Sequence, residues 1–373
     1  MNRRRFLFIF GTRPEAIKLA PLILRLREIG HVGVCVTGQH REMLDQVLRF
    51  FSITPDYDLK IMTQGQSLFT VTTRALGALE GVIRADRPDL ILVQGDTTTA
   101  FAGALAGFYS QVRVAHVEAG LRSFNKASPF PEEMNRILAG HLADLHFAPT
   151  KTARLNLLKE NIPAEQIHVV GNTVIDALLM GLGIIGDDER GFYEYFRSLD
   201  FSKRIILVTG HRRESFGKPF ENICRALRDL AKEDVQIVYP VHLNPVVRAH
   251  VFPLLGNTKN IHLMEPLEYS HLIWLLKKCY LVLTDSGGIQ EEAPGLGKPV
   301  LVMREVTERI EGIKAGTALL VGTDRKKIVS SAKTLLQDRA SYSRMARRKN
   351  PYGDGKAAIR IRDILSIPIH PLP

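Results

Sequence analysis

The strongest constraint on this chain is a rhythm. Short apolar runs at 6–10, 32–36, 90–93, 112–117 and 145–147 alternate with longer helical patterns. A longer helical stretch follows Asn172, and the rhythm then restarts at Arg204, with runs at 205–208, 235–239, 261–264, 281–283, 300–303 and 319–321. These runs are continuous rather than alternating, which suits strands buried on both faces of a parallel sheet joined by crossover helices. The pattern predicts an α/β chain made of two Rossmann-like, doubly wound halves. A length of 373 residues, more than one core usually supports, agrees with two domains. Their boundary falls near Gly171, giving domains of 1–170 and 171–354. Both halves open alike, with FLFIFGTRPE and IILVTGHRRES: a strand, a glycine, and an arginine two residues later. In open sheets of this kind ligands bind beyond the carboxyl ends of the strands, so two facing sheets would bring both sets of turns to one cleft.

Composition narrows the classes. Lys plus Arg total 50 against 39 Asp plus Glu, a net charge of +11 that suits an anionic ligand. Part of the excess lies in Arg3 to Arg5 and in Arg344, Arg347, Arg348 and Lys349, runs that read as solvated faces. No nucleic-acid recognition motif or aromatic platform accompanies them. Cys35, Cys224 and Cys279 are widely spaced and lack CxxC spacing, which points to reduced thiols and a cytoplasmic setting. The opening MNRRRFLFIF is too short in its apolar part for a signal peptide. No stretch approaches the roughly 20 apolar residues of a membrane span. The histidines show neither HExxH nor CxxC spacing, so no metal is expected.

Candidate chemistry gathers at strand ends. In YLVLTDSGGIQEEAPGLGKP, 280–299, a buried strand gives way to Ser286, Gly287 and Gly288 and then to a helical pattern. Strand, small turn and helix start make a phosphate cradle, with Glu292 one turn further in, suited to ribose hydroxyls; a simple helix cap is the alternative. GTRPEAIK brings Arg13 and Lys18 to the first helix N-terminus, where two cations suit a polyanion or are merely solvated. Pro14 and Glu15 in the same string suit helix initiation. GDTTT places Asp96 at a strand end, as a helix cap or as a carboxylate in the cleft. HVEAGLR places Glu118 directly after an apolar run, where burying a charge costs several kcal/mol unless it is paired or functional. PFPEEMNR sets Glu132 and Glu133 at a helix start, and at most one of the pair faces the cleft. HRRESFG offers His211, a candidate to protonate or bind a leaving phosphate.

Taken in order, GTRPEAIK, TGQHREMLDQVL, GDTTT, HVEAGLR, PFPEEMNR, HRRESFG, YPVHLNP, TDSGGIQEEAP, GTALLVGTD and NPYGDG resemble the non-hydrolysing UDP-N-acetylglucosamine 2-epimerases of bacteria and archaea. The strings span about nine tenths of the chain. The resemblance implies a GT-B fold, with the active site in the cleft between the Rossmann-like domains and a C-terminal helix, about 355–366, packing back on the first. It implies interconversion of UDP-GlcNAc and UDP-ManNAc through 2-acetamidoglucal and UDP, without metal or nicotinamide, in a homodimer. Asp96, Glu118 and Glu132 match the catalytic carboxylates. Arg13, Lys18, Ser286, Gly287, Gly288 and Arg309 match positions that hold UDP, His211 assists its departure, and Glu292 matches the ribose-binding acid.

The chain also departs from the family pattern. Leu267 and Leu272 stand in PLEYSHL where many members have glutamine and phenylalanine around the uracil. Ile310 replaces the proline of a common TERPE string but spares Arg309. Gln39, Arg212 and His242 lie in strings compatible with the activating substrate site of some bacterial members, while Gly65 stands where some have arginine, so regulation stays open. The rivals are an epimerase of a modified UDP-sugar, a hydrolysing variant, a GT-B glycosyltransferase and a catalytically silent nucleotide-sugar sensor. Thr12 and Glu15 disfavour the first, whose members tend to open with a GARPQFIK-like string.

Overall fold

A computed structural model describes residues 4–38, 41–61, 63, 65–210, 212 and 216–367, with the Arg41 side chain outside the description. The chain divides into two compact units, Met1–Met180 with Gly353–Pro373, and Gly181–Tyr352. In the first lie β1 (Arg4–Phe10), α1 (Arg13–Leu26), β2 (Gly30–Val36), α2 (Arg41–Phe50), β3 (Tyr57–Asp58), α3 (Leu68–Asp86) and β4 (Leu90–Gln94). They are followed by α4 (Thr98–Tyr109), β5 (Arg113–Val117), α5 (Glu132–Leu142), β6 (Leu145–Ala148), α6 (Lys151–Lys159) and β7 (Ile167–Val169). Helix α7 (Thr173–Ile185) carries the chain onward. The second unit continues with α8 (Arg190–Tyr195), β8 (Arg204–Thr209), α9 (Lys218–Leu230), β9 (Val235–Pro240), α10 (Pro245–Leu255) and β10 (Ile261–Met264). Then come α11 (Tyr269–Lys278), β11 (Leu281–Thr284), α12 (Gly287–Gly295), β12 (Val300–Val302), α13 (Ile310–Ala315) and β13 (Ala318–Leu320). Helices α14 (Arg325–Gln337) and α15 (Arg339–Ala346) close that unit, and α16 (Ala357–Ser366) returns to the first.

Both sheets are parallel throughout. The first runs β3-β2-β1-β4-β5-β6-β7 and the second β10-β9-β8-β11-β12-β13. Each order reverses once, between β1 and β4 and between β8 and β11, which is the doubly wound arrangement expected from the sequence. The central strands justify their continuous apolar spelling: Phe6, Leu7, Phe8, Ile9 and Phe10 in β1, and Leu281, Val282 and Leu283 in β11, are fully buried. Two edge strands escape that signal. Tyr57 and Asp58 form a two-residue strand that is only partly covered, and β7 ends on the exposed Val169.

Helix α16 packs on α1 through the buried Ile361 and Leu365. Its first N–H groups, those of Ala357 and Ala358, donate to the Asp176 carboxylate of α7 at 3.1 and 2.9 Å. At its far end the Arg4 guanidinium donates to the carbonyls of Leu365 and Ile367. Arg5 donates to the Asp86 carbonyl at 2.6 Å, so Arg4 and Arg5 have structural partners and are not the purely solvated run that composition suggested. Among the described residues no helix is long and apolar enough to cross a membrane, and no three metal-ligating side chains gather. The three cysteines are free and buried, and burial pushes each thiol up to about 12.

Candidate active site

The first unit concentrates charge where its sheet order reverses. Thr12 caps α1 in a capping box with Glu15, whose carboxylate turns back to accept the N–H groups of Gly11 and Thr12 at 3.1 and 2.8 Å. The same carboxylate accepts the hydroxyls of Thr12 and of Thr97, each at 2.7 Å. Thr97 in turn caps α4, accepting the Ala100 N–H at 3.0 Å. Glu15 therefore ties the turn after β1 to the turn after β4. Burial pushes its carboxyl up, and the hydrogen bonds from Thr97, Thr12 and Gly11 partly offset that rise. Gly11 is required at this junction, since a Cβ would lie 2.1 Å from the Thr37 hydroxyl.

Because Thr97 occupies the cap position, Asp96 is not the helix cap that its place in the sequence allowed. Its carboxylate instead accepts from Arg136, and its carbonyl accepts the Asn135 amide at 3.0 Å. Arg136 also donates to Glu133 at 3.2 Å, and Glu133 accepts the N–H groups of Ser123 and Phe124 at 2.9 and 3.0 Å. Glu133 is thus the structural member of the acidic pair. Glu132 begins α5 four residues before Arg136, a spacing that puts both on one helix face. Its Oε2 is buried with no hydrogen-bond partner among the described residues. Such an atom is costly to leave unsatisfied, and sites that bind or transfer protons are where the cost is tolerated.

Glu118 follows β5 with φ +63°, a left-handed setting unfavourable to a side chain of this size. Its carboxylate accepts from Lys18 at 2.8 and 2.6 Å, from Asn172 at 3.0 Å, and from Gln94. The side chains of Glu118 and Lys18 are only 5% and 13% exposed, so this is a sequestered ion pair. Gly95, next to Asp96, lies against it: a Cβ there would be 3.6 Å from Glu118 Oε2. Two buried histidines brace this ground. His116 Nε2 donates to the Gly95 carbonyl and His146 Nε2 to the Gly140 carbonyl, both at 2.7 Å; a carbonyl can only accept, which fixes the tautomers. Burial lowers both rings, His116 to about 3, so they act as neutral struts.

The second unit offers a barer site at its own reversal. Ser286 precedes α12 with no side-chain cap hydrogen bond, so its hydroxyl does not compete for the helix N–H groups. The Arg309 guanidinium lies over Gly287, within 3.1 to 3.3 Å of where a Cβ would stand. It is oriented by the buried Glu291, which accepts from Nε at 3.0 Å. A helix N-terminus beside a guanidinium favours a phosphate-bearing group. Glu292 is buried one turn inside and accepts the Tyr269 hydroxyl at 3.1 Å. In the adjoining turn the Arg212 N–H donates to Asp285 at 2.8 Å. His242, also singled out in the sequence, accepts the Asn244 N–H through Nδ1 at 3.1 Å. His211 and Gln39 lie outside the described residues.

Within the first unit, then, Asp96, Glu118, Glu132 and Lys18 share the ground around Gly95 and the start of α5, with Arg13 at the start of α1. Within the second, Ser286, Gly287, Gly288, Glu292 and Arg309 collect at α12. Lys18, expected beside a phosphate, stands on Glu118. Sequence reasoning did not single out Gln94, Arg136 or Asn172. Arg136 lay inside a string already in view, PFPEEMNR, but nothing in that string names Asp96 as its partner.

Residues 24–366 match the family described as UDP-N-acetylglucosamine 2-epimerase. The chain belongs to that family. A UDP-N-acetylglucosamine 2-epimerase of Escherichia coli K12 is 54% identical over 97% of this chain and 98% of its own length. The Salmonella typhimurium epimerase is 55% identical over the same shares. The crystal structure of the Neisseria meningitidis epimerase bound to UDP-GlcNAc, 47% identical, superposes with a TM-score of 0.92 over 97% of this chain and 99% of that one. The fold class of this epimerase-family chain is accordingly GT-B, with two Rossmann-like units of seven and six strands.

Proposed function

We propose that the chain is a UDP-N-acetylglucosamine 2-epimerase of the non-hydrolysing type, interconverting UDP-GlcNAc and UDP-ManNAc by elimination and readdition of UDP. A carboxylate takes the C2 proton, the C1–O bond breaks with its electron pair leaving on UDP, and 2-acetamidoglucal remains. Return of a proton to the opposite face of C2, with UDP rejoining C1, completes inversion. The C2 proton is not acidic, so bond breaking at C1 runs ahead, and the site must stabilise a cationic sugar and an anionic diphosphate together. Asp96, Glu118 and Glu132 supply acid, base and negative potential on the first unit. The observation that carries this reading is three carboxylates on the turns of one sheet in three different settings, Asp96 on Arg136, Glu118 on Lys18, and Glu132 with a buried oxygen that lacks a partner among the described residues. Arg13, Lys18, Arg309 and the turn from Ser286 to Gly288 hold UDP, Glu292 holds the ribose, and His211 assists departure. No metal or nicotinamide enters these steps.

The product would supply ManNAc for cell-surface polysaccharides, in a cytoplasmic setting that suits three free buried thiols. Homodimerisation belongs to the same reading. Phe69 on α3 and Phe108 and Tyr109 on α4 are 85%, 60% and 67% exposed, an apolar display that a second copy would cover.

The test is incubation of the pure protein with UDP-GlcNAc in D2O, without added metal or acceptor. Deuterium at C2 of both epimers, with UDP-ManNAc as product, is expected. Free ManNAc would indicate hydrolysis instead, and no turnover across several UDP-sugars would sink the enzymatic reading.

A further inference from the structure

Asn172 stands at a junction that the proposed chemistry leaves unused. It is 2% exposed and immediately precedes α7. Its Oδ1 accepts the Val174 N–H at 3.0 Å and its carbonyl the Ile175 N–H at 3.2 Å, so one end of the side chain caps the helix. With an N–H on Oδ1, the amide must present its NH2 group on the other side. There it donates to Glu118 Oε1 at 3.0 Å.

The chain returns past the same residue. Gly353, at φ +150°, runs so close that a Cβ would lie 3.4 Å from Asn172 N and 3.6 Å from its O. At Gly355 a Cβ would come within 2.4 Å of Leu179 Cδ1 on α7. Asp176, one turn into α7, holds the first N–H groups of α16. The departing helix and the returning segment are therefore held together over the first turn of α7, by close approach at Asn172 and by hydrogen bonds at Asp176. Glu118 keeps its left-handed backbone only while its surroundings hold it there. Lys18 and Gln94 hold it from α1 and β4, and Asn172 holds it from the start of α7, the helix along which the chain leaves the first unit.

We propose that Asn172 is a positioning residue for the reaction: its amide fixes the Glu118 carboxylate and ties that setting to the points where the chain leaves and re-enters the first unit. The inference rests on Glu118 acting in acid–base chemistry at C2.

Serine and aspartate cap helices about as well as asparagine, yet neither presents an N–H donor to Glu118. Asn172→Ser and Asn172→Asp are assayed against the unmodified chain with UDP-GlcNAc, following kcat, KM and melting temperature. The positioning role predicts that kcat falls roughly 100-fold in both, the scale of a small misplacement of a reacting group. KM stays within about threefold, because binding in the ground state is not at stake. The melting temperature of Asn172→Ser remains within a few degrees of the unmodified chain, while Asn172→Asp, which sets a second buried carboxylate against Glu118, melts lower. If Asn172→Ser does not fold, Asn172→Asp, nearly isosteric, is read by the same constants. A kcat within about twofold of the unmodified chain, or a raised KM with kcat unchanged, overturns the inference. Absence of turnover in the unmodified chain overturns the functional reading, and this inference with it.

Discussion

The two sheet reversals have the same topology and opposite chemistry. In the first unit the turns carry carboxylates, each held by a cation or an amide: Glu118 by Lys18, Asn172 and Gln94, Asp96 by Arg136, and Glu15 by hydroxyls and main-chain N–H groups. In the second, the turn after β11 carries one carboxylate, Asp285, which accepts the Arg212 N–H, and then Ser286 and two glycines, leaving the amide end of α12 uncapped by Ser286 and one guanidinium above it. A dense, tethered charge network resists reorganisation, which is what proton transfer at a weakly acidic carbon requires. An uncapped helix end suits binding and release of an anion. One device, strand then turn then helix, is thus specialised in two directions by the side chains placed at the strand ends.

The sharpest way to break this comparison is Asp96→Asn. It should reduce deuterium exchange at C2 roughly a thousandfold, the scale of a lost general acid or base. NMR of the sugar in D2O measures it, and near-normal exchange would remove Asp96 from the chemistry. Arg136→Met comes next. Its guanidinium is 6% exposed and serves both Asp96 and Glu133, and removing one partner of a buried pair costs about 3–5 kcal/mol. Chemical denaturation should show that loss together with slowed turnover. Intact stability would mean that the network around α5 is not the preorganised element described here.

The histidine struts give a third test, through pH. Burial lowers His116 to about 3 from an ordinary 6.5, so between those values the unfolded chain binds a proton that the folded chain refuses. Stability is complete above about pH 6.5 and falls as pH drops toward 3, by up to about 1.4 kcal/mol per pH unit for each such proton. His146, lowered in the same direction, adds to the slope. His116→Gln should flatten the dependence of unfolding free energy on pH between 6 and 4, and an unchanged slope would contradict the neutral-strut account. The smallest effect belongs to the second unit. Gly287→Ala would press a methyl group against the Arg309 guanidinium. The guanidinium must give by a few tenths of an ångström, and UDP binding should weaken up to roughly tenfold, about 1.4 kcal/mol. Calorimetry measures it, and a larger loss of C2 exchange at saturating substrate than of affinity would blur the division of labour.

Much of the fold is legible in the sequence because parallel strands buried on both faces are spelled as unbroken apolar runs. Strands β3 and β7 are not, since an edge strand of two or three residues needs no such run. The placement of the candidate residues was legible: Asp96, Glu118, Glu132 and the Ser286 turn all lie at strand or helix ends. What stayed hidden is who holds whom. Arg136 meets Asp96 across 40 residues, Asn172 meets Glu118 across 54, and Lys18 meets it across 100, separations that no local pattern encodes. Glu15, read as a helix-dipole residue, also bridges two turns because Thr97, 82 residues away, comes within reach.

The central claim is that the carboxylates of the first unit do chemistry while Arg13, Lys18, Arg309 and the turn from Ser286 to Gly288 hold UDP. Titrating UDP into Glu118→Gln by calorimetry tests it most directly. The account predicts a Kd within about threefold of the unmodified chain, under 1 kcal/mol. A loss of more than about thirtyfold, over 2 kcal/mol, would show that Glu118 belongs to the binding of UDP and would contradict the account.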